Sequence, residues 1–254
     1  MEPLGTLTLL ILWLAGFAAG FVDSIAGGGG IITLPALLAV GLPPHLALGT
    51  NKLQGSFGSL TAAVSYRYHG MVSLRGTLYG ILCTAIGAAI GTLTIQRIPA
   101  TFLQRAIPIL LVVVFVYTLL SPKLGQTHGR ATLERGLFHT MFGLSIGFYD
   151  GFFGPGAGSF WAIAYVALLG FDFTRATAWT KVMNFTSNLI ALAVFTLGRN
   201  VLLMPGLVMG VGQALGAAVG SRMVVRRGAR FVRVFFLIVV AATILRLVYL
   251  TYFR

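Results

Sequence analysis

The chain has 254 residues, 57% of them hydrophobic and only 9% charged, with a net charge of +13. Roughly a quarter of an ordinary soluble domain is charged, so no water-facing surface hides this much apolar side chain and the solvent is expected to be lipid. The basic residues sit between apolar runs, above all at Arg222, Arg226, Arg227, Arg230 and Arg233. That is how cytoplasmic loops hold topology, and it argues against nucleic acid as a partner.

The first apolar run, Leu4–Val22, follows Met1-Glu2-Pro3 without the positive leader of a secretory signal, so it is expected to be retained as a span. Asp23 ends it. Gly27-Gly28-Gly29-Gly30 then lead into a short apolar segment, 31–42, whose twelve residues reach only ~18 Å as helix. Long runs follow at 46–66, 74–95 and 102–120. The lone cysteine, Cys83, lies inside the third long run, which excludes an internal disulfide. A polar stretch with Pro122, Gly125 and Gly129 reads as a linker.

Beyond it the pattern repeats. A run at 137–149 with its flanks ends on Asp150, and Gly154-Pro155-Gly156-Ala157-Gly158 lead into a second short segment, 159–170. Long runs at 176–197, 201–225 and 231–253 complete the chain. Runs of about 20 residues cross a hydrocarbon core of ~30 Å as helix. The expected fold is therefore an all-α polytopic membrane protein with eight long transmembrane helices and two short broken or re-entrant ones.

The second half repeats the first. Ala85-Ile86-Gly87-Ala88-Ala89-Ile90-Gly91 returns as Ala214-Leu215-Gly216-Ala217-Ala218-Val219-Gly220, a displacement of 129 positions. Lys52 falls on Lys181 and, after a two-residue slip, Asp23 falls on Asp150. This predicts a first repeat at 1–121, a linker at 122–133 and a second repeat at 134–254, with a binding site where the halves meet. The spacings Gly87-x-x-x-Gly91 and Gly212-x-x-x-Gly216-x-x-x-Gly220 predict tight helix contacts.

Charge distribution orients the halves. If the short segments cross, each half makes five passes and the two are inverted. The loop at 222–233 placed inside then carries Arg67, Arg75, Lys123, Arg130, Arg135 and Arg175 inside with it, leaving Arg97, Arg105, Arg199 and Arg254 outside, 11 against 4. Re-entrant short segments give 8 against 7. The positive-inside bias favours crossing, two inverted repeats of five, and both termini outside.

Charged side chains are costly in hydrocarbon, which singles out Asp23, Lys52, Asp150 and Lys181. In the inverted arrangement Lys52 descends ~10 Å from one face and Lys181 rises ~10 Å from the other. Thr50, Asn51, Gln54, Ser56 and Ser59 surround the first lysine, and Thr180, Asn184, Ser187 and Asn188 the second. Offsets of three, four and seven keep Lys52 with Ser56 and Ser59, and Lys181 with Asn184 and Asn188, on single helix faces. Such faces line a pore or glue helices together. Gly28, Gly29 and Gly156 either offer unpaired amides and the positive helix end to an anion or permit close packing. Asp23 and Asp150 cap the next turn, neutralise the lysines between turnovers, or accept a coupling proton.

Neither glycine stretch is followed by Gly-Lys-Ser/Thr, which excludes a nucleotide P-loop. His45, His69, His128 and His139 lack ligand spacing, so no metal, cofactor or enzyme activity is expected. The leading expectation is a secondary carrier of a small anion, and the runner-up an anion channel.

Four segments carry a family resemblance: Phe21-Val22-Asp23-Ser24-Ile25-Ala26-Gly27-Gly28-Gly29-Gly30, Thr33-Leu34-Pro35-Ala36-Leu37, Gly41-Leu42-Pro43-Pro44, and Ala47-Leu48-Gly49-Thr50-Asn51-Lys52-Leu53. They resemble the signature of the TauE/SafE sulfite exporter family, and Gly147-Phe148-Tyr149-Asp150-Gly151-Phe152-Phe153-Gly154-Pro155-Gly156 is similar to its second motif. The likeness covers essentially the whole chain. It implies a bacterial inner-membrane permease, an exporter of sulfite or sulfonates, with a permease for another small oxyanion or carboxylate as the alternative. The expected partners are the anion and the lipid bilayer, with a homodimer admissible. The second half departs from the Thr-Asn-Lys triplet, reading Trp179-Thr180-Lys181, so Asn184 supplies the amide at that level.

Overall fold

The computed structural model describes residues 5–120 and 131–227. The run expected at 231–253 and linker residues 122–130 lie outside the described residues. Within them every regular element is helical: α1 (Thr6–Ala26), α2 (Gly30–Ala39), α3 (Pro44–Tyr68), α4 (Leu74–Ile95), α5 (Ala100–Leu120), α6 (Arg135–Phe152), α7 (Ala157–Leu169), α8 (Phe173–Leu197) and α9 (Leu203–Arg227).

Five of these, α1, α4, α5, α8 and α9, are long and apolar enough to cross a membrane. Eight long spans were expected; the run at 231–253 lies outside the described residues, and α3 and α6 (the run at 137–149 with its flanks) are not apolar enough to count among the five. At 25 residues α3 is about 38 Å long, but Thr50, Asn51, Lys52, Gln54, Ser56 and Ser59 lower its hydropathy. All six are buried, so their polarity faces protein and not lipid. The two short segments form α2 and α7 as expected. The first helix runs beyond Val22 to Ala26, because Asp23 faces a buried partner and does not end the span.

The glycine breaks are shorter than extended crossings would be. Gly27 takes a left-handed conformation, φ 75°, and its amide donates to the Asp23 carbonyl, closing α1. Gly29 is already right-handed helical, and Ile31 and Ile32 donate to the carbonyls of Gly28 and Gly29. In the second half Gly154 and Gly156 carry the left-handed turns, φ 99° and 84°, between α6 and α7. Proline at the start of α3 and Asp172 capping α8, where its carboxylate accepts from the Arg175 amide at 2.9 Å, set the next helix starts.

Packing interleaves the halves. α1 lies along α9, and α6 lies along α4, the same pairing with the repeats exchanged. Small residues make both contacts. A Cβ on Gly212 or Gly216 would overlap the carbonyl oxygens of Trp13 and Phe17, and one on Gly87 or Gly91 those of Leu144 and Phe148. The predicted small-residue spacings thus sit where backbones touch. α3 and α8 pack on each other between these pairs, α3 also against α9 and α8 also against α4. Outward faces carry apolar stripes four residues apart, such as Leu203, Leu207, Val211, Leu215 and Val219 on α9. Stripes of this kind suit lipid as solvent.

Candidate functional site

The centre of the site lies where α3 and α8 meet the two glycine breaks. Lys52 sits eight residues past Pro44, and Lys181 eight past Phe173. Their side chains are 1% and 0% exposed. Ammonium groups so far from water need charged partners, and each finds one in the opposite half. Lys52 Nζ lies 2.6 Å from Asp150 Oδ1 and also donates to the Asp150 carbonyl. Lys181 Nζ lies 2.9 Å from Asp23 Oδ2. The lysine and aspartate of one repeat therefore do not pair with each other.

Further hydrogen bonds hold both carboxylates. Ser187 donates to Asp150 Oδ2, and the Gly29 amide donates to Asp23 Oδ1 at 3.2 Å. Asp23 thus both pairs with a lysine and accepts from the turn that opens α2. The two breaks touch. A Cβ on Gly27 would overlap Gly158, and Gly30 faces Pro155. Tyr66 donates to the Ser24 carbonyl at 2.8 Å and Tyr149 to the Pro155 carbonyl at 2.6 Å, pinning both segments to helices.

Between these groups lies a cavity of about 30 Å³. Among the predicted residues, Asn51, Lys52, Asn184, Asn188, Gly29, Gly156, Asp23 and Asp150 line it. The others stand elsewhere. Thr50, two positions before Lys52, is turned roughly 200° around the helix and accepts from the Leu202 amide at 3.0 Å. Thr180 is buried beside Lys181, away from the cavity lining, as is Gly28. Lys181 sits behind Asp23 and reaches the cavity only through that carboxylate. The two lysines are thus inequivalent at the cavity, although their helices are matched.

Two contributors, Thr33 and Gln213, stand outside the expected set, and Gln54, expected beside Lys52, lines the cavity itself. Gln54 donates to Asn51 Oδ1 at 2.8 Å and to Thr33 Oγ1 at 3.0 Å, while Thr33 itself donates to Asn51. Gln213 lines the cavity from α9. A glutamine inside an apolar run was the available signal for Gln213, obscured by the flanking glycines that read as packing.

The sequence profile of the family described as "Sulfite exporter TauE/SafE" matches residues 12–247. The chain is 45% identical over 225 residues to a "Probable membrane transporter protein" of Haemophilus influenzae, covering 89% of this chain and 88% of that protein. It is 44% identical over 247 residues to "Probable membrane transporter protein ORF9" of Sinorhizobium, covering 97% and 95%. With "Probable membrane transporter protein YfcA" of Escherichia coli K12 it shares 44% identity over 243 residues, covering 96% and 90%.

Proposed function

Because the chain belongs to the TauE/SafE family of membrane transporters, we propose that it is a secondary carrier of a small sulfur-containing anion such as sulfite or a sulfonate, held by Lys52, with Lys181 holding Asp23 beside it. One observation carries this reading: two fully buried lysines, each bound to an aspartate from the other repeat, beside two glycine breaks around a polar cavity. A buried ammonium can exchange one carboxylate for another oxyanion and keep a partner, whereas it does not tolerate being left alone.

The cavity, about 30 Å³, has room for only a few water-sized groups. Binding widens the gap between the glycine breaks, and the anion takes the place of Asp150 on Lys52. The expected eight spans in two inverted repeats are kept as part of the proposal. The exchanged pairs α1 with α9 and α6 with α4, together with the exchanged ion pairs, support two matched repeats, and the inversion rests on the charge bias. The inner membrane as location and both termini outside rest on the family and on the charge bias.

The test is uptake into proteoliposomes of a panel comprising sulfite, sulfoacetate, sulfate and acetate. Saturable flux of sulfite or sulfoacetate with little acetate flux is expected. Equal flux of all four, or flux that rises without saturation, would remove the carrier reading and favour a channel.

A further inference from the structure

Three buried amide oxygens around the cavity have no donor among the described residues: Gln54 Oε1, Asn184 Oδ1 and Gln213 Oε1. Their residues are 1%, 6% and 2% exposed, and all three line the cavity. The Gln54 amide nitrogen is committed to Asn51 and Thr33, which fixes its oxygen as the free end. Buried acceptors of this kind are costly unless something positive or a donor meets them.

An oxyanion of sulfur does not meet that need. It carries acceptor oxygens itself and is repelled by these three. The cavity lining is therefore chemically mixed, with a donor at Lys52 and three unmet acceptors on the amides.

This set of acceptors is not inherited from the duplication. The repeat maps Gln54 onto Met183, Gln213 onto Thr84, and Asn184 onto Gly55. Met183 and Thr84 touch, with Thr84 Oγ1 3.4 Å from the Met183 sulfur. The positions equivalent to Gln54 and Gln213 are thus filled by a thioether and a hydroxyl in the other half, and Asn184 has a glycine, Gly55, as its counterpart.

We propose that Gln54, Asn184 and Gln213 form a binding site for a small monovalent cation, sodium in the first instance, that travels with the anion. The part concerning co-transport rests on the carrier reading above. Hard cations take oxygen ligands, and calcium would require several carboxylate oxygens. Before an anion binds, both carboxylates are held, Asp150 by Lys52 and Ser187, Asp23 by Lys181 and the Gly29 amide. Neutral amide oxygens suit a single positive charge.

Charge balance supplies the coupling. Two lysines and two aspartates sum to zero. A monoanion that displaces Asp150 leaves a net negative charge in a poorly solvated chamber, and one bound cation cancels it. By linkage, each ligand then raises the affinity for the other.

The experiment is direct ²²Na⁺ binding to the detergent-purified full chain by scintillation proximity, first without any anion. Saturable binding that choline does not displace is expected, weakened at least tenfold in Gln213→Met, with the fold checked by size-exclusion chromatography. If Gln213→Met does not fold, Gln213→Glu carries the test, since it preserves shape, adds charge and must tighten binding. Added sulfite should strengthen Na⁺ binding severalfold in the parent protein. Absence of saturable Na⁺ binding, or binding unchanged in both variants, overturns the proposal and leaves the amides as water ligands. Anion flux is measured separately, so carrier activity without Na⁺ binding removes this inference alone.

Discussion

Neutralising one member of the Lys52–Asp150 pair strands the other charge in the protein interior. With the two side chains 1% and 5% exposed and 2.6 Å apart, Lys52→Met or Asp150→Asn alone should destabilise the protein by about 3–5 kcal/mol, the usual cost of an unpartnered buried charge. At about 2–4 °C per kcal/mol for a chain of this size, that is a fall of roughly 6–20 °C in Tm. The double variant Lys52→Met/Asp150→Asn contains no stranded charge and should recover most of the loss. The assay is a double-mutant cycle by thermal unfolding in detergent. The pairing has a specific signature: Lys52 should couple to Asp150 but not to Asp23, and Lys181 to Asp23 but not to Asp150. Additive losses for Lys52 with Asp150, or strong coupling within one repeat, would refute the exchanged arrangement.

Three further outcomes follow from the packing. Gly216→Leu and Gly87→Leu drive side chains into the backbones of α1 and α6 and should lower Tm by several degrees, whereas Val219→Ala, on the lipid face, should leave it within about 1 °C. Gly156→Ala combines an unfavourable φ of 84° with overlap against Val114 and should impair anion flux as well as stability, read by proteoliposome uptake. Thr33→Val removes a donor to Asn51 and an acceptor for Gln54 at a cost of about 1–3 kcal/mol. It should raise the KM for the anion more than it lowers the maximal rate.

The helices were legible because lipid imposes a simple rule on composition and length. Leu74–Ile95 forms the helix its apolar run predicts, and the run at 102–120 needs only two residues added at its start. Asp23, Lys52, Asp150 and Lys181 were legible because charge inside an apolar run demands an explanation, and their recurrence paired them off by type. Which lysine meets which aspartate was not legible. That depends on α1 lying along α9 and α6 along α4, contacts between residues almost 200 positions apart in the first case. Local spacing carries no trace of them. Thr50 and Thr180 were drawn into the site by sequence adjacency, but a step of one or two residues turns a helical side chain by roughly 100–200°. Gln213 was hidden for the opposite reason, because its neighbours Gly212 and Gly216 explain that stretch as a packing face.

The neutral pair tests the central claim most directly. Lys52→Met/Asp150→Asn keeps the chamber free of stranded charge while removing the ammonium that is to hold the anion. Sulfite and sulfoacetate uptake by this variant, reconstituted beside the parent protein, should fall to the level of protein-free liposomes while its Tm stays close to that of the parent. Uptake at the parent's rate from the folded double variant would contradict the account.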